Sequence, residues 1–358
     1  MRVDLIAPGT SWFNPADLDG RGLGGNEATL VLWWRELRAR GIDIRIVLGG
    51  PDDGEGTDHD TGMADLPATG WLGREQYHGP AGADILIAFR DGAPLLNAPA
   101  GTLRVLFVGD RKTPGVEALQ AADACDLALV GSHAAHDRYA PLLTPRHGYH
   151  VDNLGHALPD TYGIERRRFQ CVHMAAPYRG LAGLLRLWPR IREQVPQARL
   201  TVLGGYELWG YSAQQAGAMT ANEVPELTAP VDGVTRLGPV PRDRYAQIIR
   251  ESEVMLYPTA YEEMCCISAL ECVALGTVPV LSSVAALRER VDHGVTGILV
   301  DGEITDPAVE DRFVAETVAL LLDEERLRRM SAAAIQAAAA DTVGRVVDRL
   351  LAAIGTCR

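Results

Sequence analysis

Glu263 and Glu271 stand eight residues apart in the stretch YEEMCCISALECVALGTVPVLS, residues 261–282. Such carboxylates can accept hydrogen bonds from a ligand's hydroxyls, or they can be the solvated charges of a helix surface. On one helix, positions eight apart lie about 80° out of alignment. The two therefore share a side only if Glu263 precedes a helix and Glu271 falls in its second turn. The backbone N–H groups of Cys265, Cys266 and Ile267 would then lie near the helix N-terminus, where an anion is favoured. A carboxylate beside an anion site is unfavourable unless ligand hydroxyls donate to it, as those of a sugar would. Spacing alone leaves both readings open.

Three further segments carry possible chemistry. In GLGGNE, residues 22–27, Gly22, Gly24 and Gly25 precede a helix and would let the backbone approach a phosphate. The spacing is not GxGxxG, and a plain turn is the other reading. In APYRG, Arg179 opens a helix, where a guanidinium could clamp a diphosphate or simply be exposed. Trp12 and Phe13, in a polar loop, could stack on an acceptor ring or be ordinary loop aromatics. His133 and His136 lack ligand partners at metal-binding spacing, so no metal is expected. The adjacent Cys265 and Cys266 read as small buried residues at a helix start.

The 358-residue chain has room for two domains. VDLIAP, IDIRIVLGG, DILIAF, LRVLFVG and LALVGS read as strands, with a helix from ATLVLWWRELRARG ended by Gly41. The acidic, Gly-rich run from Pro51 to Pro67 reads as a surface loop. A second α/β unit starts near residue 168, with strands in RRRFQCVHM, ARLTVLGG, VTRLGPV, VMLYPT, TVPVLS and TGILV, and the tail is helical. Strands alternating with helices imply two Rossmann-like, doubly wound parallel sheets facing a cleft, with ligands at the carboxyl ends of the strands. The net charge of −13 argues against a nucleic-acid partner. Six cysteines without a CxxC pair fit a reduced, cytoplasmic setting. No apolar run reaches the ~18 residues of a membrane span, which leaves peripheral membrane contact open.

Taken together and in order, these pieces resemble the family 4 retaining glycosyltransferases of the GT-B fold. The resemblance covers most of the chain and is strongest from residue 170 to 330. It rests on the Gly24-Gly25-Asn26-Glu27 loop, the Arg179-Gly180 pair, the strand ending LYP, the Glu263-x7-Glu271 motif, GTVPV, and DHGVTGILVDGE. It implies an acceptor-binding domain at 1–160, a nucleotide-sugar-binding domain at 161–340, and a C-terminal helix at 341–358 packing back toward the first. A nucleotide-diphospho-sugar, UDP- or GDP-linked, would give up its sugar with retention to a small-molecule or lipid-linked acceptor, without a metal or cofactor.

The resemblance makes Arg179 and Glu263 the catalytic residues, Glu263 on donor-sugar hydroxyls and Glu271 on the ribose. Gly24, Gly25, Cys265, Cys266 and Ile267 would hold the diphosphate, and Val240, in RLGPVP, the base. Asn26 and Asp110 join Trp12 and Phe13 as acceptor candidates. Two positions depart from the pattern: Met174 stands where a second basic residue is usual, and Gly109 where a histidine often faces the donor sugar. Either a neighbour such as Arg111 or Lys112 substitutes, or the donor's sugar end is read differently. A non-catalytic sugar-nucleotide sensor and a nicotinamide-dependent oxidoreductase are the alternatives, the second lacking GxGxxG.

Overall fold

A computed structural model describes residues 1–10, 13–49 and 70–357. The run 51–67 read as a surface loop lies outside the described residues. The chain divides into two units. The first comprises residues 1–15, 26–155 and 343–358, the second 16–25 and 156–342.

The first unit holds a seven-stranded sheet. Its strands are β1 (Arg2–Ala7), β2 (Asp43–Leu48), β3 (Trp71–Gly73), β4 (Ile85–Phe89), β5 (Leu103–Val108), β6 (Leu127–Val130) and β7 (Tyr149–Val151). They are ordered β3-β2-β1-β4-β5-β6-β7 and pair in parallel. Every residue of Ile85–Phe89 and Leu127–Val130 is buried. Helices cover both faces of such a sheet, so its strands read as unbroken apolar runs. The three-residue edge strands β3 and β7 are too short to give any periodic signal.

The second unit holds six parallel strands: β8 (Gln170–Met174), β9 (Arg199–Leu203), β10 (Val234–Gly238), β11 (Val254–Tyr257), β12 (Val278–Ser282) and β13 (Ile298–Val300), ordered β10-β9-β8-β11-β12-β13. Side chains alternate between faces along a strand, and the two apolar cores show it. Cys171, Val254, Leu256 and Val280 join one core with the helices Leu181–Gln194 and Pro307–Leu322. Val172, Met174, Met255, Tyr257 and Leu281 join the other with the helices Arg242–Glu251 and Ile267–Ala274. Met174, where the resemblance has a basic residue, is thus a buried core side chain.

One boundary differs from the sequence reading. Residues 16–25, expected in the first domain, belong to the second unit. Their placement rests on long-range contact: Gly22 lies so close to Val240 that a Cβ there would meet its carbonyl oxygen at 2.3 Å. The helical tail comprises two helices, Glu324–Ala338 and Val343–Thr356. The second is tied within the first unit by Arg349 to Asp152 (2.5 and 2.9 Å) and by Arg40 to Gly344 O (2.9 Å). Among the described residues, no helix is long and apolar enough to cross a membrane.

Candidate active site

In the second unit, β8 runs into a turn that ends at Gly180, the N-cap of the helix Leu181–Gln194. Gly180 has φ +100°, and a Cβ there would meet Pro258 O at 2.3 Å, so glycine alone lets this turn close on the loop after β11. That approach sets Arg179 against Glu263. Arg179 Nη1 lies 3.3 and 3.4 Å from the two carboxylate oxygens of Glu263. Tyr257, the last residue of β11, donates its hydroxyl to Glu263 Oε1 at 2.5 Å. The Arg179 guanidinium also lies 4.4 Å from the ring centroid of Tyr261 and 5.3 Å from that of Tyr178. Burial would lower the pKa of Arg179, but the facing Glu263 and the surrounding tyrosines raise it further, so it stays charged. Burial, with Glu263 adding to it, holds the Tyr257 hydroxyl well above its usual range as a neutral donor.

Glu263 lies in the loop and Glu271 is the fifth residue of the helix Ile267–Ala274, the placement that puts both on one side. Neither is a surface charge, for they are 7% and 3% exposed. Glu271 has its own pair of partners, both from the helix Arg242–Glu251. Arg242 Nη2 donates to Glu271 Oε1 in a close ion pair, and Tyr245 donates to Oε2 at 2.6 Å. Positions three apart on a helix are neighbours, so both reach the same carboxylate. Arg242 also donates to Ala157 O at 2.9 Å, while its buried Nε has no partner.

The helix Ile267–Ala274 begins at Cys266, whose φ of 61° is left-handed. Cys265 and Cys266 are buried thiols. Burial, reinforced by the neighbouring Glu263 charge, pushes the Cys266 thiol up to about 12, so it is protonated and unreactive near neutrality. Gly25 lies against this helix start, where a Cβ would come 3.0 Å from Ile267 Cδ1. Val240 follows β10 and packs on the Tyr257 core. The second unit thus gathers Arg179, Gly25, Val240, Cys265, Cys266, Ile267, Glu263 and Glu271, with buried Gly24 in the same loop as Gly25.

The first-unit candidates behave differently. Phe13 is no exposed loop aromatic: it is 2% exposed, with its ring edge-on to Trp71 at 5.5 Å, and this packing leaves no ring face for an acceptor. Trp12 lies outside the described residues. Asp110 is paired with Arg90, which also reaches Glu27 Oε1 at 3.5 Å. A Cβ on Gly109 would lie 2.8 Å from Phe107 Cε1 and 3.1 Å from Asn26 Oδ1, so Asn26 and Phe107 already fill the space a histidine would need. Among the described residues, no group of three or more His, Cys, Asp or Glu is placed to hold a metal ion.

Sequence reasoning missed Tyr257, Tyr261, Arg242 and Tyr245. Tyr257 was legible in the LYP segment, and Arg242 and Tyr245 stand three apart in PRDRY, but nothing local ties them to Glu271.

Two parallel-sheet α/β units, the second carrying the Arg179–Glu263 pair beyond β11, define a fold that known proteins share. Residues 167–323 match the family model Glycosyl transferases group 1. A D-inositol 3-phosphate glycosyltransferase from Mycolicibacterium vanbaalenii is 28% identical over 88% of this chain and 76% of its own. Other relatives of that name match over shorter stretches, between 22% and 38% of their own lengths. Anabaena HepE in complex with UDP-glucose superposes with a TM-score of 0.73 at 14% identity, covering 100% of both chains. Sucrose-phosphate synthase from Thermosynechococcus elongatus does so at 0.71 and 16% identity, again over 100% of both. The fold is GT-B, the chain is a glycosyltransferase, and its residues 167–323 resemble the group 1 family.

Proposed function

We propose that the chain transfers a sugar, with retention at the anomeric carbon, from a nucleotide-diphospho-sugar to a small hydroxylated acceptor of the inositol phosphate type. The observation that carries this reading is the convergence of Arg179, Glu263 and the Ile267–Ala274 helix start in the second unit. A guanidinium and a helix N-terminus favour the charge that develops on a departing diphosphate. Arg179 is therefore the leaving-group stabiliser and Glu263 the acceptor for donor-sugar hydroxyls. Glu271 reads the ribose, Val240 contacts the base, and Gly24 and Gly25 with the N–H groups around Cys266 line the diphosphate.

In the front-face reaction the bond from the anomeric carbon to the phosphate oxygen breaks as the acceptor oxygen bonds on the same face. The acceptor proton passes to the departing phosphate, so no protein nucleophile is needed. The acceptor class is supported by the names of the relatives, and Asn26 and Asp110 remain its candidate contacts in the first unit.

The deciding experiment measures melting temperature with UDP, GDP, ADP, dTDP and NAD, then assays transfer to D-inositol 3-phosphate from the sugar donor of the stabilising base. Selective stabilisation by one nucleoside diphosphate is expected, because a ligand of the native state stabilises by mass action. Stabilisation by NAD alone, or by none of them, overturns the donor assignment.

A further inference from the structure

Within the first unit, the loop after β5 and the helix His133–Tyr139 surround a cavity of about 760 Å³. Three cations line it, Arg111, Lys112 and Arg138, against one carboxylate, Glu117. In a chain of net charge −13, this local excess of positive charge stands out. Its walls are anchored. Arg138 Nε donates to Arg111 O at 2.6 Å, and the buried Tyr139 hydroxyl lies 3.0 Å from Asp110 O and 2.9 Å from Thr113 Oγ1. Burial raises the pKa of that hydroxyl, so it remains a neutral tether. The remaining lining is partly apolar and includes Leu142, which is 48% exposed despite its size.

We propose that this cavity binds a phosphate monoester carried on a less polar body. Guanidinium groups meet phosphate with paired donors and lysine meets it as a point charge, while the apolar lining accepts the rest of the ligand. The tethered backbone holds the cations in place before the ligand arrives, which lowers the ordering cost of binding. The site shares no residue with the Arg179–Glu263 centre. The phosphate belongs either to a small soluble ligand or to a lipid headgroup.

The test uses the full chain, with Lys112→Glu and Lys112→Gln as variants and Arg179→Ala as a control for phosphate held at the donor centre. Lys112 is exposed, and neither anchor above involves its side chain, so these variants should melt like the wild type without ligand. Inorganic phosphate is titrated calorimetrically at constant ionic strength. Sedimentation is followed with phosphatidylcholine vesicles, with and without phosphatidic acid. Saturable phosphate binding that Lys112→Glu weakens by about tenfold or more, and Arg179→Ala leaves intact, supports a soluble monoester. Capture only by vesicles containing phosphatidic acid, lost in Lys112→Glu, supports a headgroup. Absence of both, or phosphate binding that survives Lys112→Glu and disappears in Arg179→Ala, overturns the proposal.

Discussion

Glu263 and Glu271 sit on the same short segment, and each is buried beside one arginine and one tyrosine, yet the two constellations are built differently. Around Glu271 the arrangement is closed: Arg242 makes a close ion pair, is itself 8% exposed, and spends another donor on Ala157 O. Around Glu263 it is open. Arg179 stands 3.3 Å off, is partly exposed, and lies against two tyrosine rings. A closed pair fixes a carboxylate in place, because removing one partner strands a buried charge. An open pair can pass its guanidinium donors to an incoming anion at little cost. One sequence motif thus carries a fixed carboxylate and an adjustable one.

The largest expected effect separates the two arginines. Arg242→Ala should destabilise the protein by about 3–5 kcal/mol, the usual consequence of breaking a buried pair, as read from the denaturant midpoint. Arg179→Ala should cost much less stability but lower kcat for sugar transfer by about 100-fold or more. Equal unfolding midpoints for the two variants would erase the distinction between closed and open pairs.

Next comes acid sensitivity at the Glu263 end. His173 lies in β8, fully buried, edge-on to Tyr257 at 5.6 Å, with Nδ1 donating to Leu256 O at 2.9 Å. Burial pushes its imidazole down to about 4. The unfolded chain takes up that proton near pH 6.5. Stability from this group is therefore complete above about pH 6.5 and is lost progressively toward pH 4, by roughly 2–3 kcal/mol. His173→Asn should show a shallower fall than the wild type between about pH 7 and about pH 4.5. Parallel pH curves would remove His173 from the account.

The smallest effects concern the two hydroxyls. Tyr245→Phe and Tyr257→Phe each delete one donor to a buried carboxylate, for about 1–2 kcal/mol. The first should raise the donor KM with kcat little changed, and the second should lower kcat. Steady-state kinetics showing the same split for both would merge the two constellations into one.

Much of this architecture was legible because strands buried on both faces leave apolar runs, and the Glu263-to-Glu271 spacing carried the helix boundary with it. What stayed hidden depends on pairs far apart in the chain. Arg242 meets Glu271 across 29 positions, and no local periodicity encodes that meeting. Residues 16–25 join the second unit through Gly22 and Val240, a contact visible only once the chain has folded back. Phe13 looked like a loop aromatic, and it took Trp71, whose indole N–H donates to Phe13 O across 58 positions, to make it a core residue.

The crowding at Gly109 limits which substitutions this position accepts. The Phe107 ring that blocks a side chain there is stacked on Phe89 at 4.4 Å and edge-on to Trp33 at 5.6 Å, so it cannot swing aside. Placing a histidine at this position would require Phe107 and its aromatic neighbours to repack together. Each intermediate along that path carries a clash or a cavity. A side chain can be gained at this position only together with changes at its neighbours.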